Sequence, residues 1–418
     1  MISMNNKFDY SSKTLLICLL VWLLPSSIWA QTNDGDPSVV ATGSCGESVT
    51  YTVYSDMSMV ISGTGEMKDY VDADLHIDDD YYQKIKSVTI EEGVTSVGEF
   101  AFSYCTSLTS VTIGNGVTHI GNAAFYECYS LASVTIPNSV TEIGNGAFYL
   151  CSDLSSVEMP GSLTVLSPAL FFGCTSLASV TIPESVTEIG DAAFEWCTSL
   201  TSVSIPASVQ SIGEGVLGSC TNLSSITVDA ANTIYDSRDN CNAIIETSTN
   251  TLIAGCMSSV IPASVTAIGG YAFYECTGLT SVTIGNEVIA IDDYAFANCK
   301  GLTSITVENE TPISISQKAF LNVDKAACTL YVPAGSKSAY ESAEGWKEFE
   351  NIEETVLDYV IGDANGDSSV DIGDVIAILN FMVGTISENF DELAADANGD
   401  DEIDIGDVIA VLNIMVSQ

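Results

Sequence analysis

The chain has very few positively charged residues. Its 418 residues include 11 lysines and arginines against 55 aspartates and glutamates, which gives a formal net charge of −44. Nucleic-acid binding is therefore excluded as a main function, because phosphate backbones are bound by basic patches. Charged residues make up only 16% of the chain and hydrophobic residues 46%, so the composition indicates a folded acidic protein and not a disordered tail.

Histidine and catalytic motifs are also scarce. The only histidines are His76, in an acidic segment, and His119, at a repeat position where serine or glutamate stands elsewhere. We therefore expect His119 to be an exposed, variable residue. The sequence has no nucleophile motif and no glycine-rich phosphate loop. Glycoside hydrolysis needs only two suitably placed carboxylates, so the sequence leaves that activity open, but we expect a non-catalytic protein.

Only one long hydrophobic run is present, from Leu15 to Leu24. Lys7 and Lys13 precede it, and Pro25 to Ala30 follow it. This pattern predicts a secretory signal peptide over residues 1–30 with cleavage after Ala30. The run is short for a membrane span, and no other stretch approaches one. We therefore expect an exported protein without a membrane span, either secreted and extracellular or attached to the cell surface.

The most abundant signal is a repeat of 23 residues. It is marked by regularly spaced cysteines: Cys105, Cys128, Cys151, Cys174, Cys197, Cys220, Cys276 and Cys299. Such a period is typical of a solenoid. In one unit Val134 and Ile136 alternate with polar residues, which predicts a short strand with one buried face. Spacings of three and four from Val140 to Leu154 predict a helical or 3₁₀ return leg. The expected fold class is thus an α/β repeat solenoid.

One unit, which begins at Ser225, is 33 residues long and so exceeds the period by ten. Its additional segments, 243–247 and 251–255, predict a protruding β-hairpin within about residues 229–257. A two-residue turn at Ser248-Thr249 would place Cys241 opposite Cys256, and a disulfide there would suit an exported protein. The laddered cysteines are expected to be free buried thiols, because their Cβ atoms point the same way.

The repeated string from Val186 to Cys197 (VTEIGDAAFEWC) resembles the leucine-rich repeats of the BspA-like class, and the resemblance covers about residues 44–352. It implies an N-terminal cap over 31–86, repeats over 87–328 and a C-terminal cap over 329–352. It also implies an exported surface protein linked to adhesion, with no shared catalytic residue. Leu217 departs from the pattern, because it stands where the other units have phenylalanine.

The outward strand positions carry a ladder of polar side chains: Thr112, Thr135, Glu158, Thr181, Ser204 and Thr283. They could form a flat surface that recognises a protein or a glycan. They also fit a solvent-facing strand surface that binds nothing, because threonine and serine suit such positions. An ice-binding surface is a third interpretation. The sequence therefore leaves the ligand of the solenoid open.

Two acidic loops of twelve residues, 363–374 and 396–407, recur at a distance of 33 residues near the C-terminus. Oxygen-bearing side chains occupy positions 1, 3, 5, 9 and 12, and a backbone carbonyl is available at position 7. This spacing surrounds one hard cation per loop, and the number of ligands favours Ca²⁺ over Mg²⁺. Because no lysine or arginine follows Lys347, the loops are expected to belong to a separate acidic module.

Several details distinguish these loops from ordinary helix-loop-helix calcium sites. Position 6 is Ser368 or Asp401 and not glycine, position 12 is aspartate, and both loops end in Ile-Gly-Asp and are followed by Val-Ile-Ala. This combination resembles a type I dockerin over about residues 358–418. The resemblance implies a small α-helical module at 362–418, after a linker at 353–361, that folds with two Ca²⁺ ions.

The dockerin resemblance also assigns residues to roles. The calcium ligands would be Asp363, Asn365, Asp367, Ser369 (carbonyl), Asp371 and Asp374, then Asp396, Asn398, Asp400, Glu402 (carbonyl), Asp404 and Asp407. The partner would be a cohesin-type module, contacted by Ile372, Gly373, Ile405 and Gly406. Dockerins often have hydroxyl residues at these contact positions, so the cohesin class stays open.

Together these observations predict an exported, non-catalytic binding or adhesion protein. Its solenoid would recognise a protein or a glycan, and its dockerin would attach it to a cohesin-bearing scaffold. An alternative is a component of an extracellular, cellulosome-like complex that acts in polysaccharide catabolism. A surface coat protein without a specific ligand is the third alternative.

Overall fold

The computed structural model describes residues 37–70, 80–355, 361–367, 369–387, 389–400 and 402–417. The predicted signal peptide, His76 and most of the predicted linker lie outside the described residues. In the described part, the chain winds as a repeat solenoid up to residue 355 and then forms a small helical module. No helix there is both long and apolar enough to cross a membrane.

The described part of the solenoid contains 26 short strands. Those of the first half are β1 Val39–Ser44, β2 Val49–Tyr54, β3 Ser58–Gly63, β4 Gly65–Glu66, β5 Ser87–Ile90, β6 Val94–Val97, β7 Ser110–Ile113, β8 His119–Ile120, β9 Ser133–Thr135, β10 Glu142–Ile143, β11 Ser156–Glu158, β12 Val165–Leu166 and β13 Glu188–Ile189. Those of the second half are β14 Ser202–Ile205, β15 Ser211–Ile212, β16 Ser225–Val228, β17 Tyr235–Asp236, β18 Ile244–Glu246, β19 Thr251–Ala254, β20 Ala267–Ile268, β21 Ser281–Ile284, β22 Ala290–Ile291, β23 Ser304–Val307, β24 Ser314–Ile315, β25 Thr329–Val332 and β26 Asn351–Glu354.

Each regular turn contributes a longer strand to one sheet and a two-residue strand to another. Longer strands of successive turns pair in parallel, so that Val88 lies beside Val111 and Val111 beside Val134. The N-terminal strands β1, β2 and β3 pair in antiparallel order before the parallel stack begins. Residues 179–182 form no strand, although the repeat predicts one. Pro183 does not account for the difference, because β14 is a full strand directly before Pro206.

The predicted helical return leg is wrong. The segments that carry the Ala-Phe pair, such as 121–128, are successive turns and contain no helix. Every second backbone N–H donates to the next turn, as Phe125 does to Ala147 at 2.8 Å. Ala123 and Glu127 adopt positive φ angles, which a helix would not allow. The solenoid is therefore built from strands and turns, and the α/β description does not apply to its repeats.

The core of the solenoid contains a stack of phenylalanine rings, one from each turn. Phe102, Phe125, Phe148, Phe171 and Phe194 follow one another at centroid distances of 5.4 to 5.8 Å. A second stack joins Phe273, Phe296 and Phe320 at 5.0 and 5.1 Å. The two stacks are separated by Leu217, so the departure seen in the sequence coincides with a real interruption of the core.

The laddered cysteines lie beside the rings as buried free thiols. Six of them donate to the carbonyl of the phenylalanine in the preceding turn, at 3.0 to 3.3 Å: Cys128, Cys151, Cys174, Cys197, Cys220 and Cys299. Burial raises the pKa of Cys105 to about 12. These thiols therefore act as small core residues, as the sequence predicted, and in addition they bond to the backbone.

The predicted hairpin exists but does not protrude. Strands β18 and β19 form it, and they lie inside a six-stranded sheet between β17 and β20. Glu246 pairs with Thr251 and Ile245 with Leu252, and the register then shifts so that Ile244 pairs with Ala254. Ile244, Ile245 and Leu252 are fully buried. The hairpin is thus an additional pair of strands inserted between neighbouring turns of the solenoid.

This shift in register also changes the relation of the two cysteines for which the sequence predicts a disulfide. Cys241 and Cys256 are both free thiols, and they belong to two different core clusters. The irregularity between Ile244 and Ile245 offsets the strands by one residue, so that the two cysteines are no longer opposite each other. The thiol of Cys256 instead donates to the carbonyl of Asn242 at 3.5 Å.

The solenoid ends in an aromatic cap around helix α1, Lys337–Ser342. Tyr340 and Trp346 are fully buried. The Tyr340 hydroxyl donates to the carbonyl of Asn309 at 2.8 Å, and the Trp346 indole N–H donates to the carbonyl of Ile313 at 2.9 Å. The two rings therefore cover the last turn while their polar groups satisfy its backbone.

The C-terminal module contains helices α2 (Ile372–Met382), α3 (Glu392–Ala395) and α4 (Ile405–Ser417). Helices α2 and α4 pack against each other. The buried core consists of small aliphatic side chains: Ala364, Val375, Ala377, Ile378, Ala395, Val408 and Val411. Val370 and Ile403, at position 8 of the two loops, pack against this core. The module thus has a much smaller core than the solenoid.

Candidate functional site

The second acidic loop brings three carboxylates together. Oxygens of Asp396, Asp400 and Asp407 all lie within 4.8 Å of one another. These residues hold positions 1, 5 and 12 of the loop, because the loop folds back on itself before α4 begins. Such an arrangement of hard oxygen ligands is what a divalent cation such as Ca²⁺ requires. The donor set therefore fits the predicted ion.

The two loops share the same hydrogen-bond pattern. The position-12 carboxylate accepts two backbone N–H groups: Asp374 accepts from Asn365 and Asp371 at 3.1 and 2.8 Å. Asp407 accepts from Asn398 and Asp404 at the same two distances. The buried last aspartate thus ties the start of each loop to the start of the following helix.

The remaining predicted ligands line the same loops. Ser369 and Glu402, the expected carbonyl ligands, donate their backbone N–H groups to Asp367 and Asp400, each at 3.0 Å. The first loop also concentrates charge, because the pKa of Asp374 is raised by burial and by the nearby carboxylates of Asp363 and Asp367. A cation between these groups would relieve both effects.

The glycines at position 11 are explained by close packing within each loop. A Cβ atom on Gly373 would lie 2.8 Å from the amide nitrogen of Asn365 and 2.9 Å from a carboxylate oxygen of Asp371. The corresponding distances at Gly406, to Asn398 and Asp404, are 2.6 and 2.8 Å. Glycine is therefore needed for loop closure at these positions, whatever contact they make with a partner.

The helices after the loops expose a repeated apolar stripe, which we call the docking face. It consists of Ile372, Ile376, Leu379 and Val383 in and directly after α2, and of Ile405, Ile409, Leu412 and Val416 in α4. The exposed fractions of these side chains range from 41% to 88%. Steps of four, three and four residues place each set on one side of its helix. The sequence prediction found only the first residue of each stripe.

The polar ladder of the solenoid is exposed as predicted. Thr112, Thr135, Glu158, Thr181, Ser204 and Thr283 are all exposed. Thr112 lies beside Thr135 and Thr135 beside Glu158, in parallel register. The surface is therefore an ordered array of hydroxyl groups with one carboxylate.

The return legs carry an aromatic row that the sequence prediction missed. Tyr126, Tyr149 and Phe172 follow the core phenylalanines by one residue and stack at 4.8 and 4.6 Å. They are half-buried on the outside of the turns. The signal was present in the sequence, because all three occupy one position of the repeat.

The interruption of the stack creates an acidic groove next to this row. One part, of about 260 Å³, is lined by Asp191, Glu195, Glu214, Gly215 and Tyr271. A second part, of about 460 Å³, shares Glu214 and Tyr271. Burial and, to a smaller extent, the charge of Glu275 together raise the pKa of Glu195 to about 7. The groove is thus a second concentration of negative charge.

His119 offers no catalytic arrangement in the described part of the chain. It lies on the outside of β8, and its Nδ1 is 3.4 Å from a carboxylate oxygen of Glu142 in the next turn. The side chains of both residues are largely exposed, at 41% and 75%. A single exposed pair of this kind contributes little to stability.

Similarity to known proteins identifies the solenoid. The model of the BspA type leucine rich repeat region matches residues 80–171, 153–251 and 245–343 in six copies, which is more than half of the chain. The chain belongs to the BspA-type leucine-rich-repeat family. Its 23-residue turns are therefore the repeats of that family, and the matched residues end before the C-terminal module. No curated protein is significantly similar to this BspA-type chain.

The chain is similar to solved structures of leucine-rich-repeat proteins, of which the first below has a similar fold. A leucine rich cell surface protein from Faecalibacterium prausnitzii is 27% identical over 78% of this chain and 96% of its own, with a TM-score of 0.56. A leucine-rich repeat protein from Eubacterium ventriosum is 19% identical over 71% of this chain and 80% of its own, with a TM-score of 0.46. One from Bacteroides ovatus is 22% identical over 74% and 99%, with a TM-score of 0.37.

Proposed function

We propose that this protein is a non-catalytic binding protein of the cell surface or extracellular space. Its BspA-type solenoid recognises a protein or a glycan, and its C-terminal module attaches it to a cohesin-type partner when calcium is bound. The observation that carries the attachment is the group of three carboxylates within 4.8 Å in a loop whose hydrogen-bond pattern recurs in the preceding loop. A surface location is supported by the F. prausnitzii relative, which is described as a cell surface protein.

Calcium has a clear role in this proposal. The ion would be held by carboxylates at positions 1, 5 and 12, and the bound ion would neutralise charges that otherwise repel one another. The position-12 aspartates also accept backbone N–H groups directly before α2 and α4. Calcium binding is therefore coupled to the placement of α2 and α4. Such coupling is expected where a metal supplies part of the folding free energy.

The docking face supplies the surface for a partner. Its eight isoleucine, leucine and valine side chains remain exposed on a module in whose described part only eight hydrophobic residues are buried. Exposed apolar stripes of this kind mark protein interaction sites. No lysine or arginine follows Lys347, so a partner with an apolar centre and a basic rim would be complementary.

The solenoid provides the recognition surface. Its exposed hydroxyl ladder and its half-buried aromatic row are both regular over several turns. Repeat proteins commonly bind ligands along such extended faces. Because the described residues contain no constellation of nucleophile, base and oxyanion donors, a binding function fits them better than catalysis.

A retention experiment on the full chain tests the attachment. Immobilised protein is incubated with extract of the source organism in calcium or in chelator. We expect a partner that is retained only in calcium and is lost in the double variant Ile376→Asp/Ile409→Asp. Ser387→Asp, in the exposed loop after α2, is the matched control and should retain it. Equal retention by the double variant, or retention in chelator, would contradict the proposal.

A further inference from the structure

A cluster of three thiols lies where the hairpin interrupts the stack. Because the hairpin occupies the place of a return leg, Ser219 donates to the carbonyl of Tyr274 at 2.9 Å, and the leg of Cys220 directly precedes the leg of Cys276. Cys256 follows β19 at the end of the hairpin. Cys220, Cys256 and Cys276 line one cavity of about 10 Å³, together with Phe273. We call these three residues the thiol cluster.

Cys276 differs from the regular ladder thiols. Cys220 donates its S–H to Phe194 and Cys299 donates to Phe273, but no such bond of Cys276 is seen among the described residues. The cavity beside it is too small to hold a water molecule comfortably. The Cys276 sulfur lies next to the backbone N–H of Leu279 and lines the same cavity as Cys220 and Cys256.

The backbone brings Cys256 close to Cys276. The N–H of Gly255 donates to the carbonyl of Ala272 at 2.8 Å, and the N–H of Cys276 turns back to Phe273 at 3.0 Å. A Cβ atom on Gly255 would lie 2.2 Å from the Phe273 ring, which shows how closely the hairpin approaches this leg. Cys256 lies after β19 and outside the cysteine ladder, so its Cβ is not constrained to point the same way as those of the ladder.

We infer that Cys256 and Cys276 form a disulfide when the protein folds in an oxidising environment, and that this bond fastens the hairpin to the following repeat. The oxidant is a small-molecule disulfide such as oxidised glutathione. One protein thiolate attacks it, forms a mixed disulfide and releases one glutathione thiolate. The second protein thiolate then displaces the second glutathione, so that one disulfide is reduced to two thiols while two protein thiols are oxidised.

Burial determines when this exchange takes place. Burial and, to a smaller extent, the neighbouring Cys256 together raise the pKa of Cys276 to about 12. Thiolates are therefore scarce in the folded reduced protein, and Cys256 is almost completely buried. We expect the bond to form during folding, before the hairpin closes over the cluster, and to resist reduction afterwards.

Peptide mapping of the full chain tests the inference. The protein is refolded with oxidised and reduced glutathione, alkylated and digested with a glutamate-specific protease. Cleavage after Glu246, Glu275 and Glu287 separates Cys256, in 247–275, from Cys276, in 276–287, and leaves Cys220 and Cys241 together in 215–246. We expect peptides 247–275 and 276–287 to be linked, and the link to disappear with reductant.

Two variants and a thermal measurement complete the test. Cys299→Ser, a ladder thiol with its own carbonyl acceptor, should keep the link, whereas Cys276→Ser should lose it. The oxidised wild-type chain should also unfold at a higher temperature than the reduced chain, and this difference should vanish in Cys276→Ser. A link from 215–246 to either peptide, or full alkylation of both cysteines in the folded oxidised chain, would overturn the inference.

Discussion

The solenoid and the C-terminal module bury apolar side chains to very different extents. Each regular turn of the solenoid places a phenylalanine and a cysteine in a continuous core, and the ring stack extends from Phe102 to Phe194 without a gap. The hydrophobic residues buried in the described part of the module are alanine, valine and isoleucine, and further isoleucine, leucine and valine side chains are exposed on the docking face. The comparison teaches that neighbouring turns stabilise one region, whereas the other region needs an additional source of stability.

Removal of calcium should separate the two regions most clearly. In chelator we expect the amides of α2 and α4 to lose their protection against hydrogen exchange, because the buried carboxylates of Asp374 and Asp407 are then unneutralised. The strands from β5 to β26 should keep their protection. Hydrogen exchange with mass spectrometry on the full chain, with and without calcium, measures both effects.

The protection of α2 and α4 should depend on calcium itself and not on ionic strength. Magnesium at the same concentration is the matched control, because it accepts fewer protein ligands and should protect the helices less. Protection of α2 and α4 that is unchanged in chelator would show that the module folds without a metal.

Removal of one ring from the stack should have the next largest effect. Phe148→Ala should lower the free energy of unfolding of the solenoid by about 3–5 kcal/mol, because the buried ring leaves a cavity between two neighbours. Equilibrium unfolding in urea measures the change. Thr135→Ala, on the exposed ladder of the same turn, should change stability by less than about 0.5 kcal/mol. A small effect of Phe148→Ala would argue against a continuous core.

The acidic groove should have the smallest effect on the stability of the folded chain, and this effect should depend on pH. The pKa of Glu195 rises from 4.5 to about 7 in the folded chain, so the folded state binds the proton more tightly. The stability linked to this proton is complete below pH 4.5 and is lost as pH rises to about 7. Glu195→Gln should therefore stabilise the protein above pH 7 by about 1–2 kcal/mol, after allowance for solvent screening.

Thermal unfolding at pH 4.5 and pH 8 measures this difference. The variant and the wild type should be similar at the lower pH and diverge at the higher one. Glu158→Gln, on the exposed strand face, is the control for removal of a negative charge. A stabilisation that is equal at both pH values would show that Glu195 acts through packing alone.

The features predicted correctly from the sequence are those with a short repeat distance. The alternation around Val134 identified the strands, and the regular cysteines identified the solenoid, because both patterns follow directly from burial. The return leg was mispredicted because the spacings of three and four around Phe148 arise from successive turns as well as from a helix. The missing strand at residues 179–182 was not predicted because the sequence pattern there matches that of units that do form a strand.

The hairpin and the acidic loops also show that local features were predicted correctly and that features set by distant residues were not. The pairs Glu246–Thr251 and Ile245–Leu252 agree with the predicted turn, but the irregular register after Ile245 could not be read from the sequence and separated Cys241 from Cys256. The ligand positions of the loops are local, and the structure brings Asp396, Asp400 and Asp407 together. Calcium binding and the cohesin partner stay predictions.

Counting bound ions tests the account most directly. Native mass spectrometry of the full chain in calcium should show two Ca²⁺ ions per chain, one per loop. Asp374→Ala and Asp407→Ala should each lose one ion, and the double variant should lose both while the solenoid stays folded. A chain that binds no calcium, or that keeps both ions in the double variant, would contradict the assignment of the two loops as calcium sites.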